Sequence, residues 1–263
     1  MTVKDWLEDA ATQLAEVNIP SSRLDAELLL AYHLNVDRSW LIAHSSDLLA
    51  PDTVRELLSR RLRHEPIAYI VQRKEFFGRS FYVDEHVLIP RPESEVIVSY
   101  LKQLQPQGRL VDVGTGSGCL AISIALECPN LSVSAVDISP QALAVATRNA
   151  KELHAAVAFK KDYLLTAATQ QVDYIVANLP YVDRSWQRSL DTDFEPQLAL
   201  FAESHGLELI YKLLPQAQAR LTVKGLLVLE ADPRQFTTLQ QQAARQGFEL
   251  IHTDGFMQVY QKR

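Results

Sequence analysis

Three glycines stand at alternate positions directly after RLVDV, a stretch that predicts a strand. Glycine at such a junction lets the main chain turn sharply and lets a ligand lie against the backbone. The dinucleotide fingerprint G-x-G-x-x-G would need a glycine at position 119, which is Cys119 here. The G-x-G-x-G spacing suits instead a nucleoside that lacks a pyrophosphate. We therefore predict a ligand-binding loop formed by Gly114, Thr115, Gly116, Ser117 and Gly118.

An acidic residue, Asp137, stands at the predicted end of the strand that follows this loop. A carboxylate at that place in an α/β sheet can accept hydrogen bonds from both hydroxyls of a ribose. The glycine motif alone would also fit a tight turn, and Asp137 alone would fit a solvent-facing side chain. Because the two features occur in register, we predict a nucleoside site with Asp137 at the ribose.

The second candidate site is Asn178-Leu179-Pro180-Tyr181, which directly follows the apolar stretch DYIVA. An asparagine at the end of such a strand lies at the edge where α/β proteins bind ligands. Its amide oxygen is an acceptor that needs no deprotonation. The Asn178 side chain and the Leu179 carbonyl could each accept one N–H of a planar NH₂ group, and Tyr181 could stack on the substrate. Asn-x-Pro is also common in turns, so the motif by itself leaves both interpretations open.

Both candidate sites depend on a pattern of alternating strands and helices that begins at residue 109. The pattern predicts strands at 109–113, 132–137, 157–161, 173–177, 225–230 and 248–252. It predicts helices at 118–127, 140–154, 205–222 and 233–246, with Ser139 and Pro140 as the N-cap and first residue of the second. The tail after Gly255 predicts an antiparallel last strand. Such a sheet is mostly parallel and covered on both faces, and its ligands bind beyond the carboxyl ends of the strands.

The part of the chain before this sheet has a different pattern. Residues 1 to about 75 predict helices only, with Ser21 or Ser22 capping the second and Pro51 beginning a later one. Residues 75–90 are rich in aromatic and β-branched side chains around Gly-Arg-Ser, which predicts a β-hairpin. A further helix is expected from about Glu93.

A basic cluster, Arg60, Arg61 and Arg63, lies in the helical part. It fits either a solvated helix face or a patch for a partner.

Composition narrows the function classes. The chain has 263 residues with 26 basic and 32 acidic side chains, a formal charge of −6, which argues against a protein that coats nucleic acid. The first thirty residues do not have the pattern of a signal peptide, and no apolar run approaches the roughly 20 residues that span a bilayer. Two cysteines cannot form a disulfide framework, so we expect a cytoplasmic protein. The seven histidines have no ligand spacing such as HExxH, so no metal is expected.

A longer segment, EPIAYIVQRKEFFGRSFYVDEHVLIPRPESE, is more specific than either short motif. It resembles, nearly throughout, the segment that joins the two domains of the bacterial release factor glutamine methyltransferases, the PrmC/HemK family. Asn-x-Pro-Tyr after a GTGSG motif is typical of amino methyltransferases, and EPQLALF at 195–201 matches a loop of the family. The resemblance covers essentially the whole chain.

The resemblance implies a class I S-adenosylmethionine-dependent methyltransferase fold. This is a doubly wound, mostly parallel seven-stranded sheet preceded by a small N-terminal helical bundle and a β-hairpin linker. Residues 1–75 would recognise the substrate, 76–92 would be the linker and 93–263 the methyltransferase domain. The implied reaction is methylation of the side-chain amide of the glutamine in the Gly-Gly-Gln loop of class-1 peptide chain release factors. Release factors are then the protein partner, no membrane or direct nucleic-acid substrate is expected, and nothing requires more than a monomer.

The resemblance also implies roles for individual residues. The glycine loop and Asp137 would bind S-adenosylmethionine, and Asp162 and Tyr163 would lie at its adenine. Asn178 through Tyr181 would hold the glutamine, with Asn178 and Tyr181 as the catalytic residues and Asn178 also beside the cofactor. The chain departs from the usual family pattern at Leu179, where proline is usual, at Gln72, where glycine is usual, and at Gln258, where arginine is usual.

Two alternatives are weighed against this function. The form Asn-Leu-Pro-Tyr also occurs in ribosomal RNA adenine dimethyltransferases, so an adenine methyltransferase acting on RNA or DNA is one. The net charge of −6 and a helical domain placed before the glycine motif argue against it. The other is a non-catalytic module that binds translation factors, which the intact Asp137 and Asn178 make less attractive.

Overall fold

A computed structural model describes residues 1–50, 54–187 and 189–263 of the chain. The described chain forms two compact units. The first contains Met1–Arg73 together with residues 189–194, and the second contains Lys74–Gln187 and Glu195–Arg263. No described helix is long and apolar enough to cross a lipid bilayer.

The first unit is built from helices, as the sequence predicts. They are α1 Val3–Glu16, α2 Ser22–Leu34, α3 Arg38–Ala43, α4 Arg55–Leu62 and α5 Ile67–Ile70. Helix α1 begins with a capping box, in which the Thr2 hydroxyl accepts from the Asp5 N–H and the Asp5 carboxylate accepts from the Thr2 N–H. The apolar faces of these helices enclose a core that includes Trp6, Leu14 and Leu29.

Two details at the helix starts differ from the sequence-based expectation or lie outside it. Ser21 is the N-cap of α2, but its side chain makes no capping hydrogen bond, and Ser22 is already helical. Pro51 lies outside the described residues. Helix α4 begins at Arg55 after Val54, whose φ of +64° is left-handed.

The basic cluster in α4 is not one solvated face. Arg61 is only 3% exposed, and its guanidinium donates to the Asp25 carboxylate at 2.7 Å and contacts the Asp191 carboxylate at 3.0 Å. Arg60 pairs with Glu65, whereas Arg63 is exposed and donates to Ser59. The local sequence shows three arginines, but it does not show the two carboxylates, distant in the sequence, that pair with the buried Arg61.

The second unit begins with a short hairpin, β1 Lys74–Phe76 and β2 Arg79–Phe81. The hairpin is shorter than the region 75–90 for which the sequence predicts it. Strand pairing ends at Phe81 because the next N–H, from Tyr82, donates to the side chain of Asn149 instead. The predicted helix near Glu93 starts as a 3₁₀ turn at Pro92–Ser94 and continues as an α-helix from Glu95.

Helices and strands then alternate through the rest of the second unit. The helices are α6 Glu95–Leu104, α7 Cys119–Glu127, α8 Pro140–Glu152, α9 Gln197–Leu200, α10 Glu208–Arg220 and α11 Phe236–Arg245. The strands are β3 Gly108–Val113, β4 Leu131–Asp137, β5 Val157–Lys161, β6 Val172–Ala177, β7 Leu221–Glu230, β8 Phe248–Asp254 and β9 Met257–Lys262.

These seven strands form one sheet in the order β5-β4-β3-β6-β7-β9-β8. Strands β3 to β7 pair in parallel, and β9 pairs antiparallel with both β7 and β8. The mostly parallel, doubly wound sheet and its antiparallel last strand are therefore confirmed. Ser139 caps α8 by accepting from the Ala142 N–H, as the Ser-Pro pair predicts.

Alternate residues of each central strand belong to two different apolar cores. In β6, Ile175 and Ala177 pack with α10 and α11, whereas Val176 packs with α6 and α7. Side chains of neighbouring strand residues point to opposite faces of a sheet, so helices must cover both faces. Only the ends of the parallel strands are left to hold polar ligand-binding groups.

Candidate active site

A cavity of about 220 Å³ lies at the carboxyl ends of β3, β4 and β6. Most of the sequence-predicted site residues line it: Gly114, Thr115, Gly116, Ser117, Asp137, Asp162, Tyr163, Asn178, Leu179 and Pro180. Gly118 and Tyr181 belong to the same segments but are not among the lining residues. The structure thus brings together residues that are up to 66 positions apart in the sequence.

The three glycines of the loop share one kind of backbone conformation but differ in the space around them. All three have left-handed backbone conformations, with φ of +76°, +55° and +80° at Gly114, Gly116 and Gly118. A Cβ at Gly114 would lie 2.8 Å from the Leu179 side chain, and one at Gly118 would lie 2.9 Å from Ile122. A Cβ at Gly116 would meet no protein atom within 4 Å. Since Gly116 lines the cavity, that open space is where a ligand could approach the backbone.

Asp137 is held at the rim of the cavity by two backbone groups. Its Oδ2 accepts from the Gly116 N–H at 2.9 Å, and its Oδ1 accepts from the Ser139 N–H at 2.9 Å. The carboxylate therefore joins the end of β4 to the glycine loop and to the start of α8. Each carboxylate oxygen retains a second lone pair that can accept from a ligand hydroxyl.

Beneath the loop lies a buried acid, Asp112, to which the sequence analysis gave no role. Asp112 is 1% exposed, and its Oδ2 accepts from the Thr115 hydroxyl at 2.6 Å. Its Oδ1 has no hydrogen-bond partner among the described residues. Burial raises the pKa of Asp112 to about 7. The available signal was an acidic residue between Val111 and Val113, within the apolar part of the predicted strand.

Asp162 and Tyr163 follow β5 and line the cavity on the side of β4 away from Asn178. The Asp162 carboxylate accepts from the Thr166 hydroxyl and the Ala167 N–H, so it also fixes the turn after the strand. Tyr163 is 39% exposed, which leaves its ring accessible to a ligand in the cavity.

The Asn-Leu-Pro-Tyr motif is connected to two residues that sequence reasoning missed, Ser94 and Glu230. The Asn178 Nδ2 donates to the Ser94 hydroxyl at 3.0 Å, and that hydroxyl donates to the Glu230 carboxylate at 2.6 Å. The Tyr181 hydroxyl donates to the other Glu230 oxygen at 3.0 Å. Burial, the Glu230 charge and this hydrogen bond raise the pKa of Tyr181 well above its usual range. Tyr181 is therefore a neutral hydroxyl donor.

Glu195 fixes the loop that leads into Pro196. Its buried carboxylate accepts from the Ile89 N–H at 3.1 Å and from the Arg91 guanidinium. Pro196 lines the cavity directly. Glu93 is exposed and is not among the lining residues.

Comparison with known proteins assigns the chain to a family. Residues 5–71 match the PrmC N-terminal domain, and residues 92–194 match the methyltransferase small domain. A protein of Koribacter versatilis named release factor glutamine methyltransferase is 41% identical over 250 residues, which cover 89% of each chain. The protein of that name from Neisseria gonorrhoeae is 39% identical over 86% of each chain. This chain belongs to the release factor glutamine methyltransferases.

A solved structure supports the fold. A methyltransferase from Pyrococcus furiosus superposes with a TM-score of 0.56 over 78% of this chain and 96% of its own, at 19% identity. Together with the strand order, this similarity confirms the expected class I S-adenosylmethionine-dependent methyltransferase fold. Family and fold together make the protein a methyltransferase enzyme.

Proposed function

We propose that this protein methylates the side-chain amide nitrogen of the glutamine in the Gly-Gly-Gln loop of class-1 release factors. The observation that carries this proposal is the position of Asn178 and Leu179, which line the same cavity as the glycine loop and Asp137. An amide-binding motif and a nucleoside-binding loop then face one another across about 220 Å³ of space. We infer the substrate from the names of the relatives, which are release factor glutamine methyltransferases.

S-adenosylmethionine is the methyl donor of this family, and the residues at the cavity fit it. The open space beside Gly116 admits a ligand to the loop, and Asp137 offers acceptors for ribose hydroxyls. We assign the cofactor to the loop Gly114–Gly118, to Asp137, to Asp162 and Tyr163 at the adenine, and to Asn178 beside its methyl group. When bound, the cofactor supplies a strongly electrophilic methyl group.

The remaining chemical task is to present an amide nitrogen, which is a poor nucleophile because its lone pair is delocalised into the carbonyl. We assign Asn178 Oδ1 and the Leu179 carbonyl oxygen as acceptors for the two N–H groups of the substrate. Two acceptors fix the nitrogen in one orientation, which is the main requirement of an in-line transfer. They also stabilise the positive charge that develops on the nitrogen. Tyr181 ends the same motif, and its hydroxyl is held by Glu230.

The substitution of the usual proline by Leu179 preserves this arrangement in two ways. The proposed contact uses the backbone carbonyl, which any residue supplies. The Leu179 side chain is buried and lies where a Cβ on Gly114 would approach it to 2.8 Å, so packing against the glycine loop restrains it.

The functions of the separate parts of the chain are also a proposal. We assign substrate recognition to residues 1–75, a linker to 76–92 and catalysis to 93–263. The protein acts as a monomer in the cytoplasm, because release factors work on ribosomes and every residue assigned here to the reaction comes from one chain.

The experiment that tests the function is methyl transfer from labelled S-adenosylmethionine to a purified release factor. The substrate is used with its native Gly-Gly-Gln loop and with the glutamine changed to alanine, and the enzyme is used as wild type and as Asn178→Ala. We expect label only with the glutamine present and Asn178 intact. Label in ribosomal RNA but not in the release factor would overturn the proposal in favour of adenine methylation. Calorimetry that finds no cofactor binding would favour the non-catalytic module.

A further inference from the structure

Glu230 is a buried carboxylate at the carboxyl end of β7 that touches both ends of the Asn-Leu-Pro-Tyr motif. It is 1% exposed, and its neighbours Leu229 and Ala231 are fully buried apolar residues. Burial raises the pKa of the Glu230 carboxyl, and hydrogen bonds donated by nearby side chains oppose that rise. A carboxylate at such a place costs desolvation energy that an apolar residue would not. Its presence therefore calls for a reason beyond packing.

The two oxygens of Glu230 hold two hydroxyl groups. Ser94 Oγ donates to Oε2 at 2.6 Å, and Tyr181 Oη donates to Oε1 at 3.0 Å. Both hydroxyls are the donors in these two hydrogen bonds, so the protons of both turn toward the Glu230 oxygens.

The direction of these bonds determines the orientation of the Asn178 amide. A serine hydroxyl has one proton, and Ser94 gives it to Glu230, so toward Asn178 its oxygen can only accept. An accepting oxygen selects the Nδ2 end of the amide, which lies 3.0 Å from Ser94 Oγ. The Oδ1 end is then the end away from Ser94, where an acceptor for the substrate is needed.

We propose that Glu230 is a positioning residue for methyl transfer, which sets through Ser94 which end of the Asn178 amide meets the substrate and holds Tyr181 directly. The inference rests on the proposed function, because a glutamine amide offers two N–H groups and needs acceptors. With the Asn178 amide reversed, Nδ2 would face those N–H groups, and two donors cannot form a hydrogen bond. Ser94 connects Asn178 to Glu230, and Glu230 is the acceptor that fixes the direction of both hydrogen bonds.

The test begins with Glu230→Gln, which keeps the size of the side chain. The new amide can accept from one hydroxyl only and must donate toward the other, so one branch of the network is reversed. We expect kcat for the release factor to fall roughly 10- to 100-fold, as for other small misplacements of reacting groups. The KM and dissociation constant of S-adenosylmethionine should stay within about twofold, because Glu230 is not among the cavity-lining residues. Ser94→Ala removes the link by another route and should lower kcat in the same way.

The matched control is Glu249→Gln, the same chemical change in the same sheet. The Glu249 side chain is 62% exposed and pairs only loosely with Arg263, at 3.6 Å. This variant should keep wild-type kcat and KM.

A double-mutant cycle separates positioning from a structural role. In a background that carries Ser94→Ala and Tyr181→Phe, neither hydroxyl that Glu230 holds is present, so adding Glu230→Gln should lower kcat by no more than about twofold. A structural role would instead give additive losses, a lower melting temperature and weaker cofactor binding. Additive losses, or unchanged kcat in both Glu230→Gln and Ser94→Ala, would overturn the inference.

Failure of the proposed function has a different signature. In that case the wild-type enzyme would transfer no methyl group to the release factor, which would overturn the function and this inference together. An active wild type with a fully active Asn178→Ala variant, or with full activity in both Glu230→Gln and Ser94→Ala, would overturn the inference alone.

Discussion

Gly116 and Gly255 have nearly the same backbone, with φ of +55° and +54°, and at either position an added Cβ would meet no protein atom within 4 Å. The two glycines differ in where the open space beside them lies. Gly116 lines the cavity and donates its N–H to Asp137, whereas Gly255 lies in the turn between β8 and β9. The two positions therefore separate the cost of a left-handed backbone from the cost of filling the ligand space.

We predict that Gly116→Ala and Gly255→Ala lose similar stability and differ in cofactor binding. Each substitution strains a left-handed residue by about 1–2 kcal/mol, which denaturant unfolding will measure. Only Gly116→Ala places a methyl group in the cavity, so we expect its dissociation constant for S-adenosylmethionine to rise at least roughly tenfold, or about 1.4 kcal/mol. Calorimetry on both variants makes the comparison. Equal affinities would show that the cofactor does not approach this loop.

Asp112 yields a prediction about pH. Its pKa is about 7 in the folded protein, against an ordinary value of 3.8. Between these values the folded protein retains a proton that the unfolded chain has released, so this group makes stability fall as pH rises. The slope is about 1.4 kcal/mol per pH unit from near pH 4 to near pH 7, and it levels off above that.

Asp112→Asn removes this titration while leaving an oxygen that can accept from Thr115. We expect the variant to gain stability relative to wild type by roughly 2–3 kcal/mol between pH 5 and pH 8, as measured by urea unfolding at both values. Asp254→Asn, the same change at an exposed residue, should show no comparable gain. A difference between Asp112→Asn and wild type that is the same at both pH values would contradict the prediction.

At the scale of secondary-structure elements, one asparagine on α8 connects three segments of the chain. The Asn149 side chain accepts from the Tyr82 N–H at 2.7 Å and donates to the Tyr82 carbonyl at 3.0 Å. It also donates to the Ser117 carbonyl at 2.9 Å, inside the glycine loop. One buried side-chain amide on α8 is thus hydrogen-bonded both to the residue that follows β2 and to the glycine loop.

We predict that Asn149→Ala destabilises the second unit by about 2–4 kcal/mol, because buried backbone groups lose their partners. The freed Ser117 carbonyl should also weaken cofactor binding. Denaturant unfolding and calorimetry measure the two effects. Lys151→Ala on an exposed position of the same helix is the control and should stay within about 0.5 kcal/mol of wild type. The role of Asn149 is refuted if the two variants are equally stable.

The sequence predicts elements well where the cause of their formation is local. The parallel strands contain local clusters of apolar and β-branched residues, and β3, β4, β5 and β6 lie within one residue of their expected bounds. The ends of other elements depend on distant groups or on unusual backbones. Helix α10 starts at Glu208 rather than 205 because Ser204, His205 and Gly206 have left-handed φ values, which serine and histidine do not signal.

The candidate site divides in the same way. Gly116, Asp137 and Asn178 could be recognised because each stands at a strand end with a characteristic residue type. The roles of Ser94 and Glu230 could not, since the hydrogen bond between them joins positions 136 residues apart. Ser94 lies in the segment that resembles the family, but that segment does not indicate its partner. Gln72 could be noted only as a departure from the family, and its φ of +52° explains why a glycine would suit that position.

At the scale of the whole molecule, the first unit is assembled from two separate parts of the sequence. Residues 189–194 belong to it although they follow Asn-Leu-Pro-Tyr in the chain. Arg61 holds these parts together, because its buried guanidinium contacts Asp25 of α2 and Asp191 of the later segment. Removing one member of such a buried group leaves the other charges unpaired, which costs about 3–5 kcal/mol.

We predict that Arg61→Met lowers the stability of the first unit by that amount, whereas Arg63→Met, an exposed arginine two positions away, changes it by less than about 0.5 kcal/mol. The cofactor residues all belong to the second unit, so the dissociation constant of S-adenosylmethionine should stay the same in both variants. If the first unit recognises the release factor, kcat/KM for the intact factor should fall roughly tenfold or more in Arg61→Met. A short peptide that contains Gly-Gly-Gln should be methylated as by wild type, because it reaches the cavity without that recognition. Equal losses on the peptide and on the intact factor would argue that the first unit supports catalysis itself rather than the capture of the substrate.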